Sequence, residues 1–366
     1  MTNRERILKI LKGEQPDQVP WFGDLDYWAN SLIKRGIKPE GFIQSDDYIK
    51  WHRELGVGYY LQGYFPYKII YDNCKVEERR EGNRWHRTIN TPLGSVDECW
   101  EYMPKSYTEG PLEHLMKSEA DLPVMKYIYE NIRFEPDYDY GFKRNEQIDD
   151  MGVQLCYLPK SPFMHLVALE AGIMAVTMTA MTHPEEFKDL LNTMKVAFDK
   201  AAQIAVDCPG EVLMIPENLS SEMVGPDFFE VYMREYQEEW IGKIRDAGKY
   251  SFIHIDGTLR GLLRKEASTG FTVLEALTPK PVGDVEFKDI AGIVDNPKTI
   301  IWGGIPGVYF TEMVNDEEFD RHVIEVLEIM KTEPRYVLGV ADQVPPDGLE
   351  RRVKRVRELV NKHGNY

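Results

Sequence analysis

Residues 251–257 read SFIHIDG: an apolar run of strand length that closes on a histidine, an aspartate and a glycine. Runs of the same build recur at 211–218 (EVLMIPEN), 272–279 (TVLEALTP), 299–306 (TIIWGGIP) and 336–343 (YVLGVADQ). Between them lie longer segments of helical period, at 184–207, 226–247, 259–268, 286–293, 316–332 and 347–362. Strands that alternate with helices are the signature of βα units around a parallel sheet. Three earlier runs complete the series: 19–25 (VPWFGDL), 57–63 (VGYYLQG) and 153–159 (VQLCYLP). Eight strands with helices between them predict a (β/α)8 TIM barrel.

The rhythm breaks after the second strand. Residues 75–103 alternate polar with apolar side chains around Glu81-Gly82-Asn83 and Pro92-Leu93-Gly94, as antiparallel hairpins do. Residues 106–149, helical and then acidic and Tyr-rich, lead back to the third strand. The expectation is one barrel domain over 1–366, with an antiparallel β-hairpin region inserted at about 64–150.

Length and composition agree with that size of core, since 366 residues with 43% hydrophobic and 29% charged are globular proportions. Lys plus Arg number 44 against 61 Asp plus Glu, a net charge of −17 without a basic run, so nucleic acid and anionic membrane surfaces are not expected partners. Cys74, Cys99, Cys156 and Cys208 are widely spaced, which reads as reduced thiols in a cytoplasmic protein. Residues 1–14 carry a capping box, Thr2 with Glu5, and too much charge for a signal peptide. No apolar run reaches the ~18 residues of a membrane span.

In a parallel barrel the βα loops gather at the strand C-termini, and that mouth holds the site. The polar residues there are Asp24, Asp26, Gln62, Glu217, Asn218, His254, Asp256, Glu275, Asp342 and Gln343. Alternate residues of a strand share a face, so His254 and Asp256 can meet one ion, and histidine with carboxylates is ligand chemistry for zinc. A hydrogen-bonded structural pair is the plainer reading of the same spacing. Glu217 and Glu275 strengthen the first reading, because crowded carboxylates need a metal or a proton to compensate them. Trp21, Trp28, Tyr59, Tyr60, Phe65 and Tyr67 either wall an aromatic pocket or belong to the core. Gly303-Gly304 reads as a tight strand-to-loop turn. No phosphate loop, dinucleotide fingerprint or nucleophile elbow is present.

The opening TNRERILKILKGEQPDQVPWF (2–22), HIDG (254–257) and GVADQVPPDGLERRVKRVRELV (339–360) resemble the uroporphyrinogen decarboxylase superfamily along almost the whole chain. That resemblance implies a (β/α)8 barrel, and either a decarboxylase or a corrinoid-dependent methyltransferase. The decarboxylases carry Arg-Gln-Ala-Gly-Arg after the first strand to hold substrate carboxylates, where this chain has Trp21-Phe-Gly-Asp-Leu-Asp-Tyr-Trp28. Acids in place of arginines repel a polyanionic tetrapyrrole. The methyltransferases bind zinc through His-x-Cys-Gly and a later Cys; here His254 and Gly257 match, while Asp256 and Asp342 replace the thiolates.

With EALTPKPVGD (275–284) and PPDG (345–348), the chain is most similar to methyltransferases that demethylate aryl methyl ethers and pass the methyl group to cob(I)alamin on a corrinoid protein. The resemblance implies zinc held by His254, Glu217, Glu275 and Asp342, with Asp256 either a ligand or the acid for the leaving oxygen. Asp24 and Asn218 are further catalytic candidates, and Trp21, Asp26, Trp28, Tyr60 and Ser221 line the expected substrate site. Two alternatives stand beside it: a decarboxylase or lyase with Asp24 or Asp26 as proton donor, and a non-catalytic relative that binds a corrinoid partner.

Overall fold

The protein is described by a computed structural model at residues 1–60 and 63–366, and Gln62 lies outside the described residues. Strands β1 (Trp21–Phe22) and β2 (Tyr59–Tyr60) come first. They are followed by β3 (Tyr67–Tyr71), β4 (Lys75–Glu81), β5 (Arg84–Thr91), β6 (Gly94–Met103), β7 (Thr108–Glu113) and β8 (Ile132–Pro136). The chain continues through β9 (Gly152–Val153), β10 (Leu155–Tyr157), β11 (Val212–Leu219), β12 (Tyr250–Ile255), β13 (Val273–Leu277), β14 (Ile300–Pro306) and β15 (Tyr336–Ala341).

Seven of these form one curled parallel sheet in the order β1-β15-β14-β13-β12-β11-β10. Its two edges approach through short pairings. Phe22 bridges Gly58 in parallel, β2 pairs with β9, and only Gln154 separates β9 from β10. The architecture is TIM-barrel-like, with helices packed outside the sheet.

Strand parity divides the side chains. Phe22, Met214, Phe252, Val273, Trp302 and Val337 belong to an inner cluster. Leu213, Ile215, Ile253, Leu274, Ile301 and Leu338 join the outer cluster with residues of the surrounding helices. Trp302 occupies the middle, its ring 5.4 Å from Phe22, 4.8 Å from Tyr60 and 5.6 Å from Phe252.

Helix Pro184–Asp207 spans the residues its period predicts, whereas the segment 226–247 divides into Pro226–Tyr232 and Arg234–Asp246 at Met233. Gly303-Gly304 is no turn: both lie within β14. Gly303 has φ 148°, and a Cβ there would come within 2.4 Å of the Leu277 carbonyl oxygen, so the glycine serves close strand approach.

Between β2 and β9, strands β4 to β7 make an antiparallel sheet that turns at Gly82, φ 61°. Ile89 and Val96 of this sheet pack on helix Leu122–Glu130 in a hydrophobic cluster of their own.

Candidate active site

His254 stands at the end of β12 with its Nδ1 donating to Glu275 Oε2 at 2.6 Å, from the neighbouring position on β13. The Tyr60 hydroxyl reaches across from β2 and donates to the other oxygen, Glu275 Oε1, at 2.9 Å. Glu275 is fully buried and His254 is 8% exposed. The free nitrogen, Nε2, lies 3.6 Å from Asp342 Oδ1, whose side chain is 53% exposed. The site therefore has a buried floor and an open rim. Burial works against the imidazolium, but the charge and hydrogen bond of Glu275, with the charges of Asp256 and Asp342, outweigh it and carry the His254 pKa up to about 9.

The backbone contributes to this aim. Asn218, Ala276 and Asp342 all have left-handed φ, at 54°, 64° and 73°, and each lies at or near the C-terminal end of its strand. Non-glycine residues in this region cost energy and cluster at functional sites. Asp342 follows Ala341, the last residue of β15, and its positive φ turns the chain at the rim where its carboxylate meets His254.

Asp24 is the second buried acid here, 5% exposed just beyond β1. It accepts from the Asp26 amide at 2.9 Å and from Gln343 Nε2 at 3.0 Å. Burial, reinforced by the charge of Asp26, pushes its pKa well above the carboxylate range. Asp26 accepts from the Tyr48 hydroxyl and is raised by burial too.

The model of the uroporphyrinogen decarboxylase family (URO-D) matches residues 150–363, more than half of the chain. The chain belongs to the uroporphyrinogen decarboxylase family. Among solved structures it is similar to a methyltransferase from Methanosarcina mazei, with a TM-score of 0.64 and 15% identity over 99% of each chain, a likeness of fold. No curated protein matches.

Within this uroporphyrinogen decarboxylase fold, His254, Glu275 and Asp342 come together, and Asp256 follows β12 closely enough for its charge to be felt at His254 and Asp342. Glu217 is held elsewhere. It shares the parity of Leu213 and Ile215, which faces the helices, and both its oxygens accept from the Ser161 amide at 3.2 Å. Gln237 of helix Arg234–Asp246 approaches it at 3.5 Å. Trp21 and Trp28 are core rather than pocket wall: Trp21 stacks on Phe310 and Trp28 packs 4.8 Å from Trp51, both at most 4% exposed. Ser221 donates to Thr258 Oγ1 at 3.0 Å, joining the loops after β11 and β12.

Sequence reasoning passed over Lys160. It lies three residues beyond Tyr157, the end of β10, and is 9% exposed. Its ammonium donates to the Pro216 carbonyl and to Asn218 Oδ1, the latter at 2.6 Å. The signal was available, since LPKSP follows the third apolar run as PEN follows the fourth.

Proposed function

We propose that this member of the uroporphyrinogen decarboxylase family is a zinc-dependent methyltransferase, which demethylates an aryl methyl ether and hands the methyl group to cob(I)alamin carried by a corrinoid protein. The observation that carries the reading is His254: Nδ1 tied to buried Glu275 and Nε2 turned toward Asp342 at the rim. A carboxylate on the far nitrogen is what fixes the tautomer and orientation of a metal-ligating histidine. The fold likeness to a methyltransferase supports the same class.

Among the described residues, no three His, Cys, Asp or Glu side chains converge to hold a metal ion by themselves. The donor set that the reading assigns to zinc therefore has two members facing each other, His254 Nε2 and Asp342 at 3.6 Å, with Asp256 acting on both through its charge. Glu275 then orients rather than ligates, and Glu217 has no part in it. Bound there, zinc would supply Lewis acidity toward the ether oxygen. The chain's own groups do the rest. The charge of Asp256 reaches the imidazole, Glu275, itself held by Tyr60, holds that ring, and Asp24, whose pKa burial raises well above the carboxylate range, is the acid at the first strand end.

The test is elemental analysis of the purified protein, followed by loss of the cob(I)alamin spectrum with methoxylated aromatics and with methylamines. His254→Ala is expected to lose both zinc and methyl transfer. Unchanged turnover in that variant overturns the metal reading. Asp24 favours a second reading, a decarboxylase or lyase on another substrate, which predicts activity without metal or corrinoid and its loss in Asp24→Asn.

A further inference from the structure

Lys160 is a buried cation close enough to Glu217 and Asp256 for their charges to act on it. Among the described residues its ammonium bonds only neutral oxygens, Pro216 O and Asn218 Oδ1, although it is 9% exposed. The carboxylates of Glu217 and Asp256 act on it through their charge, but among the described residues neither bonds it, and burial costs the ammonium hydration that two neutral acceptors replace only in part. Two neutral acceptors also leave one of its three N–H donors over. The partner it bonds, Asn218, is exposed and left-handed at the end of β11, the strand next to that of His254. The cation is thus buried near the strand ends, bonded to the strand beside that of His254 and within reach of the Asp256 charge.

We propose that Lys160 is the docking point for the anionic aryl oxygen that demethylation releases. The inference rests on the aryl-ether reading above and names the group that takes its product charge. In that reaction the methyl–oxygen bond breaks, the electron pair of cob(I)alamin forms the new cobalt–carbon bond, and the pair from the broken bond stays on oxygen as phenolate. The spare ammonium donor is a charge-assisted hydrogen bond for that oxygen as its charge develops. Burial lowers the Lys160 pKa to about 8, with the charges of Glu217 on β11 and Asp256 after β12 acting to raise it. The amine is therefore still largely charged at neutral pH and can also yield its proton to phenolate.

The test is binding without any corrinoid, so its outcome is independent of whether methyl transfer is found. The probes are 4-nitrophenol, whose ionised form is read by its absorption, and 4-nitroanisole as the neutral counterpart. At pH 7 the protein should bind the phenol in its ionised form, about tenfold or more tighter than the anisole. Lys160→Met should remove that preference and leave the anisole unaffected, and Lys160→Arg should keep part of it. If circular dichroism finds the Met variant unfolded, the unmodified protein serves instead: its affinity for the phenolate should fall as pH rises through about 8. Absence of the preference, its survival in Lys160→Met, or a phenolate affinity that does not fall above pH 8 overturns the proposal.

Discussion

His52 is a buried histidine with no share in the mouth. It is 2% exposed, edge-on to the rings of Tyr48 and Tyr59 at 4.8 and 5.1 Å. Burial holds its pKa down to about 3. The unfolded chain takes up a proton there near pH 6.5 and the folded one does not, so the contribution to stability is complete above pH 6.5 and declines as pH falls toward 3. The loss is about 1.4 kcal/mol per pH unit within that window, or about 2 kcal/mol by pH 5. Urea titrations from pH 7 to pH 5 should register it, and His52→Phe, which keeps an aromatic ring, should flatten the dependence. An equal slope in the variant would assign the acid sensitivity to other groups. At this scale the sequence was most legible where spacing alone decides. His254 and Glu275 could be read from strand ends, whereas Glu217 could not, because one position of parity sends it to the helices. Applying the alternation outward from Met214 would have separated them. Trp21 and Trp28 illustrate the opposite difficulty, since a large aromatic near a strand end looks the same whether it walls a pocket or fills the core.

The elements were legible in proportion to their length. Helix Pro184–Asp207 has six turns of period to declare it, while β1 and β2 are paired over only two residues each. What the run WGG concealed was the packing between strands. Gly339 on β15 faces Trp302 so closely that a Cβ would come within 2.6 Å of the indole Cδ1. The indole thus fills the barrel because its neighbour on the next strand has no side chain. Gly339→Ala should force Trp302 off its position at a cost of about 1–3 kcal/mol, and Trp302→Ala should cost about 3–5 kcal/mol by leaving a cavity among Phe22, Tyr60 and Phe252. Combining the two should cost less than their sum, since the truncated indole no longer meets the added methyl. Denaturant midpoints for the two single variants and the double variant check this, and strict additivity would mean that Gly339 and Trp302 are not coupled.

Across the whole molecule the apolar interior falls into separate clusters. The barrel wall and its helices form one, and the lumen forms another. The antiparallel sheet, through Ile89 and Val96, belongs to a third, with helices Leu122–Glu130 and Pro184–Asp207. The sheet is also tied down by polar groups. Arg87 pairs with buried Glu98 at 2.6 Å, and the Tyr129 hydroxyl donates to Glu170 at 2.6 Å in the same layer. A separate core predicts separate failure. Ile89 is 1% exposed, so Ile89→Asp places a carboxylate in an apolar layer and should cost about 3 kcal/mol or more. The damage should concentrate in that cluster, because parts of a protein with cores of their own can open as separate cooperative units. Hydrogen exchange should quicken across Lys75–Glu113 and Leu122–Glu130 while strands β12 to β15 keep their protection. The mouth would then remain assembled, with His254, Glu275 and Asp342 all carried on protected strands or at their ends. Uniform loss of protection would instead make sheet and barrel one cooperative unit, and would give the antiparallel sheet a part in holding the mouth of the barrel together.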